Sequence, residues 1–303
     1  MKTIRRIHTV ADFHRLMQLA PPEHPLVSVI KTADSHAHTI EGKFQLNLYM
    51  ISCKTACEAG IRYGRNAFDF ESGSIIFTAP GQVFEITETP PAADASGYDG
   101  WTLVFHPDLI RHHPLAQQIS GYSFFSYEIY EALHVSEKEK NILFEFVKNI
   151  KNEIEQNIDR HSQEIIISNI ESILKYSRRF YDRQFYTRAP LHKDILARFE
   201  AFLKEYFASE KLANQGLPSI QQCGEALNMS GHYLSDLLKA ETGMSAREHI
   251  HNYLIEQAKN KLLGSNASIS EIAYELGFEY PQHFSKLFKS KTGVSPSEYR
   301  RVN

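Results

Sequence analysis

The chain has three cysteines and one tryptophan in 303 residues, no surplus of either charge, and no uninterrupted apolar run near the about 18 residues a membrane helix needs. Each scarcity excludes something. Cys53, Cys57 and Cys223 are too few for the disulfide framework of a small secreted domain. The spacing of Cys53 and Cys57 would suit a redox or metal pair, against the plainer reading of buried thiols acting as small hydrophobes. A formal net charge of −3 speaks for neither a polybasic tail nor a membrane-surface partner. Met1 to Ile7 carry early charges with no apolar stretch behind them, so a soluble, cytoplasmic protein is expected. The length fits two domains.

What is present is concentrated at the C-terminal end. Ser268 with Glu271 has the form of a capping box, in which hydroxyl and carboxylate each accept from a backbone N–H that the helix leaves unpaired. Ile269, Ile272, Ala273 and Leu276 follow at helical spacing, and Gly277 supplies a left-handed stop. Pro281, whose fixed φ suits a first turn, opens a second short helix with Phe284, Leu287 and Phe288 inward. About fifty residues upstream the pattern repeats: Ser219 with Gln222 is a box, Ile220, Cys223 and Leu227 match the first stripe, and Leu234 and Leu237 match the second. Each copy closes on a further box, Ser245 with Glu248 and Ser295 with Glu298. Between them Ala246 to Leu263 reads as one long helix, spanning ~26 Å at ~1.5 Å per residue. Such a spacer would set two helix-turn-helix motifs about one DNA turn, ~34 Å, apart.

Residues from about Asp194 to Arg301 resemble the DNA-binding domain of the AraC/XylS family of bacterial transcription regulators, most densely in ISEIAYELGF and FSKLFKSKTGVSPSEYR. The resemblance implies that His232, Ser235, Asp236 and Lys239 of one helix, and Pro281, Gln282, His283, Ser285, Lys286 and Lys289 of the other, contact DNA. Asp236 departs from the pattern, because a carboxylate accepts from cytosine but is repelled by phosphate. From Arg188 to Asn303 there are 14 lysines and arginines against 13 aspartates and glutamates, a balance of +1, so binding would rest on local contacts rather than on a strong basic field.

The N-terminal part has another texture. Thr9 with Asp12 opens a short helix that Pro21 and Pro22 close, an arm ahead of the domain. Short β-rich runs follow at Leu26 to Lys31, Phe44 to Ser52, Gly60 to Tyr63, Gly73 to Thr78, Val83 to Thr87 and Trp101 to Phe105, spacing that suits a small barrel or double sheet. GSIIFTAPG, residues 73–81, resembles the second box of the cupin barrels that AraC-type regulators carry as sensors. Cupin enzymes hold a metal on histidines and a glutamate; His36, His38 and Glu41 are spaced too closely for the first box, and Gln82, Val83 and Phe84 stand where the late histidine belongs. No metal site, cofactor or catalytic constellation is therefore expected. Tyr49, Tyr63, Phe77 and Trp101, with His36, His38 and Arg62 as polar anchors, are instead candidates for a small-molecule pocket, each aromatic being equally a plain core residue. A sugar would stack on Trp101 or a tyrosine; an anion would seek Arg62.

Ser136 to Ile158 and Ser162 to Arg183 read as two helices with narrow apolar stripes that include Ile150, Ile154, Ile170 and Leu174. The resemblance implies a dimer seam here; the alternative is that they cover the barrel. Arg178 to Arg188 reads as the helix end and a linker. The expected architecture is α+β: a cupin-like sensor with its arm (residues 1–135), a helical dimerisation segment (136–187), and an all-α DNA-binding domain with two helix-turn-helix motifs joined by a long helix (188–303). The expected function is a ligand-responsive regulator, an activator, whose partners are an operator duplex, RNA polymerase, a small effector and a second copy of itself. The alternatives are a metal-dependent cupin enzyme fused to a DNA-targeting domain, distinguished by metal on His36 and His38, and a ligand-independent DNA-binding protein.

Overall fold

The computed structural model describes residues 4–34, 42–54, 61–62, 73–86, 100–127, 131–157 and 159–302. It divides into two units, Met1–Gln184 and Phe185–Asn303. Among the described residues all strands lie in the first unit and the second is helical, a mixed α+β chain.

The first unit opens with strand β1 (Arg5–Ile7) and helix α1 (Val10–Leu16). Thr9 Oγ1 accepts from the Asp12 N–H at 3.0 Å and Asp12 accepts from the Thr9 N–H at 3.1 Å, the box expected there. Eight strands follow: β2 (Val27–Lys31), β3 (Gly42–Leu46), β4 (Tyr49–Lys54), β5 (Ile61–Arg62), β6 (Ser74–Thr78), β7 (Gln82–Ile86), β8 (Trp101–Phe105) and β9 (Leu133–His134). They form a four-stranded sheet in the order β1-β3-β7-β5 and a five-stranded sheet in the order β2-β8-β4-β6-β9, with β1 and β3 parallel and every other pair antiparallel. The run Phe44 to Ser52, expected as one strand, is two strands in different sheets. Asn47 breaks it by turning its N–H to the Ile7 carbonyl at 2.9 Å. β1 and β9, of three and two residues, are too short to show alternation in the sequence.

Because side chains alternate along a strand and paired residues share a face, the register sorts the five-stranded sheet into two sets. Ile30, Met50 and Val104 join Phe44, Leu46 and Leu48, and Ile7, Val10 and Phe13 of the arm, in one core cluster that draws on both sheets. Tyr49, Phe77, Trp101 and Phe105 occupy the opposite face.

Two long helices complete this unit: α3 (Glu137–Glu155), opened by a Ser136 and Glu139 box, and α4 (Ser162–Ala208), after a single short turn α2 (Leu115–Gln118). Here two expectations change. Ile150, Ile170 and Leu174 are fully buried within the chain and Ile154 nearly so, which leaves none of them for a seam between subunits. The stripes cover the sheet, as in the alternative reading. Phe144 and Ile165, at 41% and 43% exposed, are large apolar side chains these helices turn outward in this unit, and Tyr186 is exposed further along α4. The second change is at Arg178 to Arg188, where α4 runs on through the expected linker; the stretch contains no glycine to stop it.

The second unit takes the remainder of α4, whose Ile195, Phe199, Leu203 and Tyr206 are buried at helical spacing. Then come α5 (Lys211–Gln215), α6 (Ile220–Leu227), α7 (Gly231–Thr242), α8 (Ala246–Gly264), α9 (Ile269–Glu275), α10 (Pro281–Thr292) and α11 (Pro296–Val302). All four expected capping boxes form, at Ser219, Ser245, Ser268 and Ser295. Gly243, Gly277 and Gly293 take φ of 76°, 80° and 83°, and Asn228 takes 61° at the end of α6. Leu254, Ala258 and Leu262 of α8 pack with Ile272 and Leu276 of α9 and Phe284 and Phe288 of α10.

Cys223 is fully buried on α6, and burial pushes its thiol up to about 12. The native thiolate is thus essentially absent at pH 8. Cys223 is expected to resist a thiol reagent until the unit unfolds, which labelling with and without urea followed by peptide mass analysis would show; rapid native labelling would place it at the surface.

Candidate nucleic-acid interface

The two helix pairs, α6 with α7 and α9 with α10, are held to α8 by the same device of capped helices around an apolar centre, and their outer faces are set by what that packing leaves over. On α7, Leu234 and Leu237 are buried, which turns His232 and Lys239 to solvent. On α10, burial of Phe284 and Phe288 exposes Gln282, His283, Lys286 and Lys289. Pro281 stands at the first turn, half-buried.

Three of the expected contacts are placed less openly. Asp236, Ser235 and Ser285 are half-buried, and the Ser235 hydroxyl accepts the Ala246 N–H at 3.3 Å. Ser235 therefore ties α7 to the start of α8. The matched residue of the second pair, Ser285, has no such donor available, because Pro296 stands at the position matching Ala246 and has no N–H to give. Tyr280, which sequence reasoning passes over, is 47% exposed at the head of α10 and meets His283 edge to face at 5.5 Å. Its only sequence signal is that it precedes Pro281 as an N-cap residue unable to cap. Arg300 goes the other way: it donates to the Leu262 and Ala267 carbonyls at 3.0 and 2.8 Å and closes the end of α8.

Charge divides unequally between the two outer helices. α10 carries Lys286, Lys289 and Lys291 with no acid, whereas α7 carries Lys239 with Asp236 and Glu241. The capping glutamates are held below the usual carboxylate range: Glu248 and Glu271 first by the Ser245 and Ser268 N–H groups, Glu298 first by the Ser295 hydroxyl.

The expected small-molecule residues are not brought together by the described structure. His36, His38 and Tyr63 lie outside the described residues. Phe77 packs on Phe124, Phe125 and Tyr181 with ring centroids at 4.4, 5.6 and 6.3 Å, and Tyr49 stacks on Phe105 at 5.0 Å. These aromatics are packing residues on the sheet face turned away from the cluster between the sheets; the sequence supplied aromatic strands but not the register that decides their side. Arg62 pairs in register with Glu85. Trp101 is buried, and its Nε1 has no hydrogen-bond partner among the described residues. A cavity of about 380 Å³ in this unit lies elsewhere, among His14, Ala20, Ser28, Ile30, Lys151 and Glu155.

Comparison with known proteins bears on the helical unit. The helix-turn-helix domain family matches residues 223–302. The HTH-type transcriptional regulator YfiF of Bacillus subtilis (strain 168) is 31% identical over 143 residues, 46% of this chain and 41% of that protein. The HTH-type transcriptional activator RhaR of Escherichia coli (strain K12) is 31% identical over 109 residues, 36% of this chain and 35% of that protein. Among solved structures, the C-terminal domain of AraT, a response regulator from Geobacillus stearothermophilus, is 31% identical, with 36% of this chain and 85% of that one covered and a TM-score of 0.32. The chain spans less than half the length of the curated relatives it matches. Fold and match together place a helix-turn-helix domain at the C-terminal end of the chain, similar to those of HTH-type transcriptional regulators.

Proposed function

We propose that the chain is a sequence-specific transcription activator in which α7 and α10 are the reading helices of a double helix-turn-helix, residues 188–303, and in which a cupin-like barrel, residues 1–135, senses a small molecule. The observation that carries this reading is the pair of capped helix couples with hydrogen-bonding and cationic side chains left outside. Base edges are read by such hydrogen bonds and phosphates by such charges. Lacking an acid, α10 takes the larger share of phosphate affinity, and α7, with Asp236, is the weaker reader. The partners are an operator duplex, RNA polymerase and a second copy of the chain. Since Ile150, Ile154, Ile170 and Leu174 are buried, residues 136–187 would dimerise through Phe144 and Ile165. The buried, unpartnered Trp101 Nε1 supports an effector that brings an acceptor oxygen to it.

The test is selection of duplexes from a random pool by the purified chain, followed by binding to single-base variants of the winner. Gln282→Ala is expected to relax preference at one position by about 1–3 kcal/mol, while Lys289→Ala weakens binding to every sequence alike. No enrichment from the pool sinks the reading. Equal losses on every variant for Gln282→Ala would remove that residue from the base-reading set.

A further inference from the structure

Beside the outward faces of α7 and α10, to the first of which Lys239 belongs, cations gather around the start of α8. Lys239 lies in the last turn of α7, Arg247 in the first turn of α8 and Lys291 in the last turn of α10, and all three are exposed. α8 packs against both α7 and α10, and the Ala246 N–H bond to Ser235 pins its start to α7. Lys239 and Lys291 both act on the Glu248 carboxylate, and Arg247 and Lys291 both act on His251, which places the three cations around one end of α8.

Their pairing sets them apart. Lys259 and Lys261 of the same α8 are in ion pairs with Glu256 and Glu275. Among the described residues no carboxylate forms an ion pair with Lys239, Arg247 or Lys291. Glu248, the nearest acid, is occupied in its box, accepting the Ser245 N–H at 2.8 Å and hydroxyl at 2.7 Å. Glu241, also in the last turn of α7, is the other exposed acid close in sequence. The start of α8 thus offers cations in no ion pair among the described residues, next to a carboxylate whose charge is drawn toward backbone donors.

We propose that Lys239, Arg247 and Lys291 form a phosphodiester-binding ridge that grips the DNA backbone between the two segments read by α7 and α10. It rests on the reading of those helices given above. Two reading helices about one duplex turn, ~34 Å, apart leave a stretch of backbone between their recognition residues, and cations in their last turns and at the start of α8 would line it. The ridge carries no sequence information. Its contribution is affinity through displaced counterions, so it supplies locally the electrostatic term that the near-neutral charge of this half withholds.

The experiment uses the full chain and a duplex of mixed sequence, with affinity measured across a series of salt concentrations. Arg247→Ala combined with Lys291→Ala is expected to flatten the dependence of log K on log salt by about 1 for each cation removed, and to weaken selected and unselected sequences equally. Lys211→Ala, on α5, removes one charge elsewhere and is expected to leave the slope unchanged. Glu248→Gln provides a gain that misfolding cannot mimic: glutamine also completes a capping box, so the helix start is kept while a negative charge leaves the ridge, and binding tightens several-fold. A double variant with the parental slope, or a Glu248→Gln protein that binds no tighter, overturns the ridge. Failure of the parental chain to select any sequence overturns the reading of α7 and α10 instead, so the two failures are told apart.

Discussion

Ile170→Glu is expected to unfold the N-terminal unit rather than release a folded monomer. Ile170 is fully buried on α4, as are Ile166 and Ile167 before it and Ile173 and Leu174 after it. A carboxylate placed there is desolvated with no cation beside it, a cost of about 3–5 kcal/mol against a total domain stability of about 5–15 kcal/mol. Protonation would relieve part of that charge cost and still leave a polar group without a partner. The single tryptophan, Trp101, is buried in this unit and gives a fluorescence signal for its unfolding in urea. The midpoint should fall steeply, and in the same assay Phe144→Glu, at a half-exposed site, should leave it nearly unchanged. Sedimentation of the two variants completes the test. A stable, monomeric Ile170→Glu protein would restore the seam between subunits that the helical stripes imply.

Gly224→Ala carries the second large effect. A Cβ at residue 224 would stand 2.6 Å from both the Gly231 N and the Met229 O, closer than atoms approach without the backbone moving. Gly231 is as tightly placed, with the Ile220 O at 2.7 Å from its would-be Cβ. The cause is the turn between α6 and α7, one residue shorter than that between α9 and α10. It draws the two helices together until only glycine fits, whereas the matched position on α9, before the longer second turn, is Ala273, packed in the core. One added methyl group is expected to cost about 3 kcal/mol. Gly243→Ala gives the comparison: its φ of 76° disfavours a side chain but nothing lies within 4 Å, so about 1 kcal/mol is expected. Far-UV circular dichroism during thermal unfolding would rank the two. Similar, small losses for both would mean that the α6 to α7 turn can open.

The C-terminal unit was legible because its information is local. A Ser with Glu or Gln three residues on, an apolar stripe at helical spacing and a glycine at the stop each act within one or two turns, so four boxes and the Ala246 to Gly264 helix could be placed without knowing what touches what. The strands β2, β6, β7 and β8 were legible for the same reason, as alternation is a property of neighbours in the chain.

The sequence alone thus determined where the short helices of the C-terminal unit begin and end, that two matched helix couples flank a long helix, and that polar side chains are left on their outer faces. Tertiary structure decided which face of a sheet Tyr49 and Phe77 occupy, since one residue of register moves a side chain from one side to the other. It decided that the stripes of α3 and α4 cover the chain's own sheet, because an apolar stripe specifies that it must be buried and not by what. It turned Ser235 to the start of α8 and Arg300 to the Leu262 carbonyl near its end, and it gathered Lys239, Arg247 and Lys291 around one helix end. Contacts of this kind join residues far apart in the chain, and their energies depend on distances that no local pattern encodes.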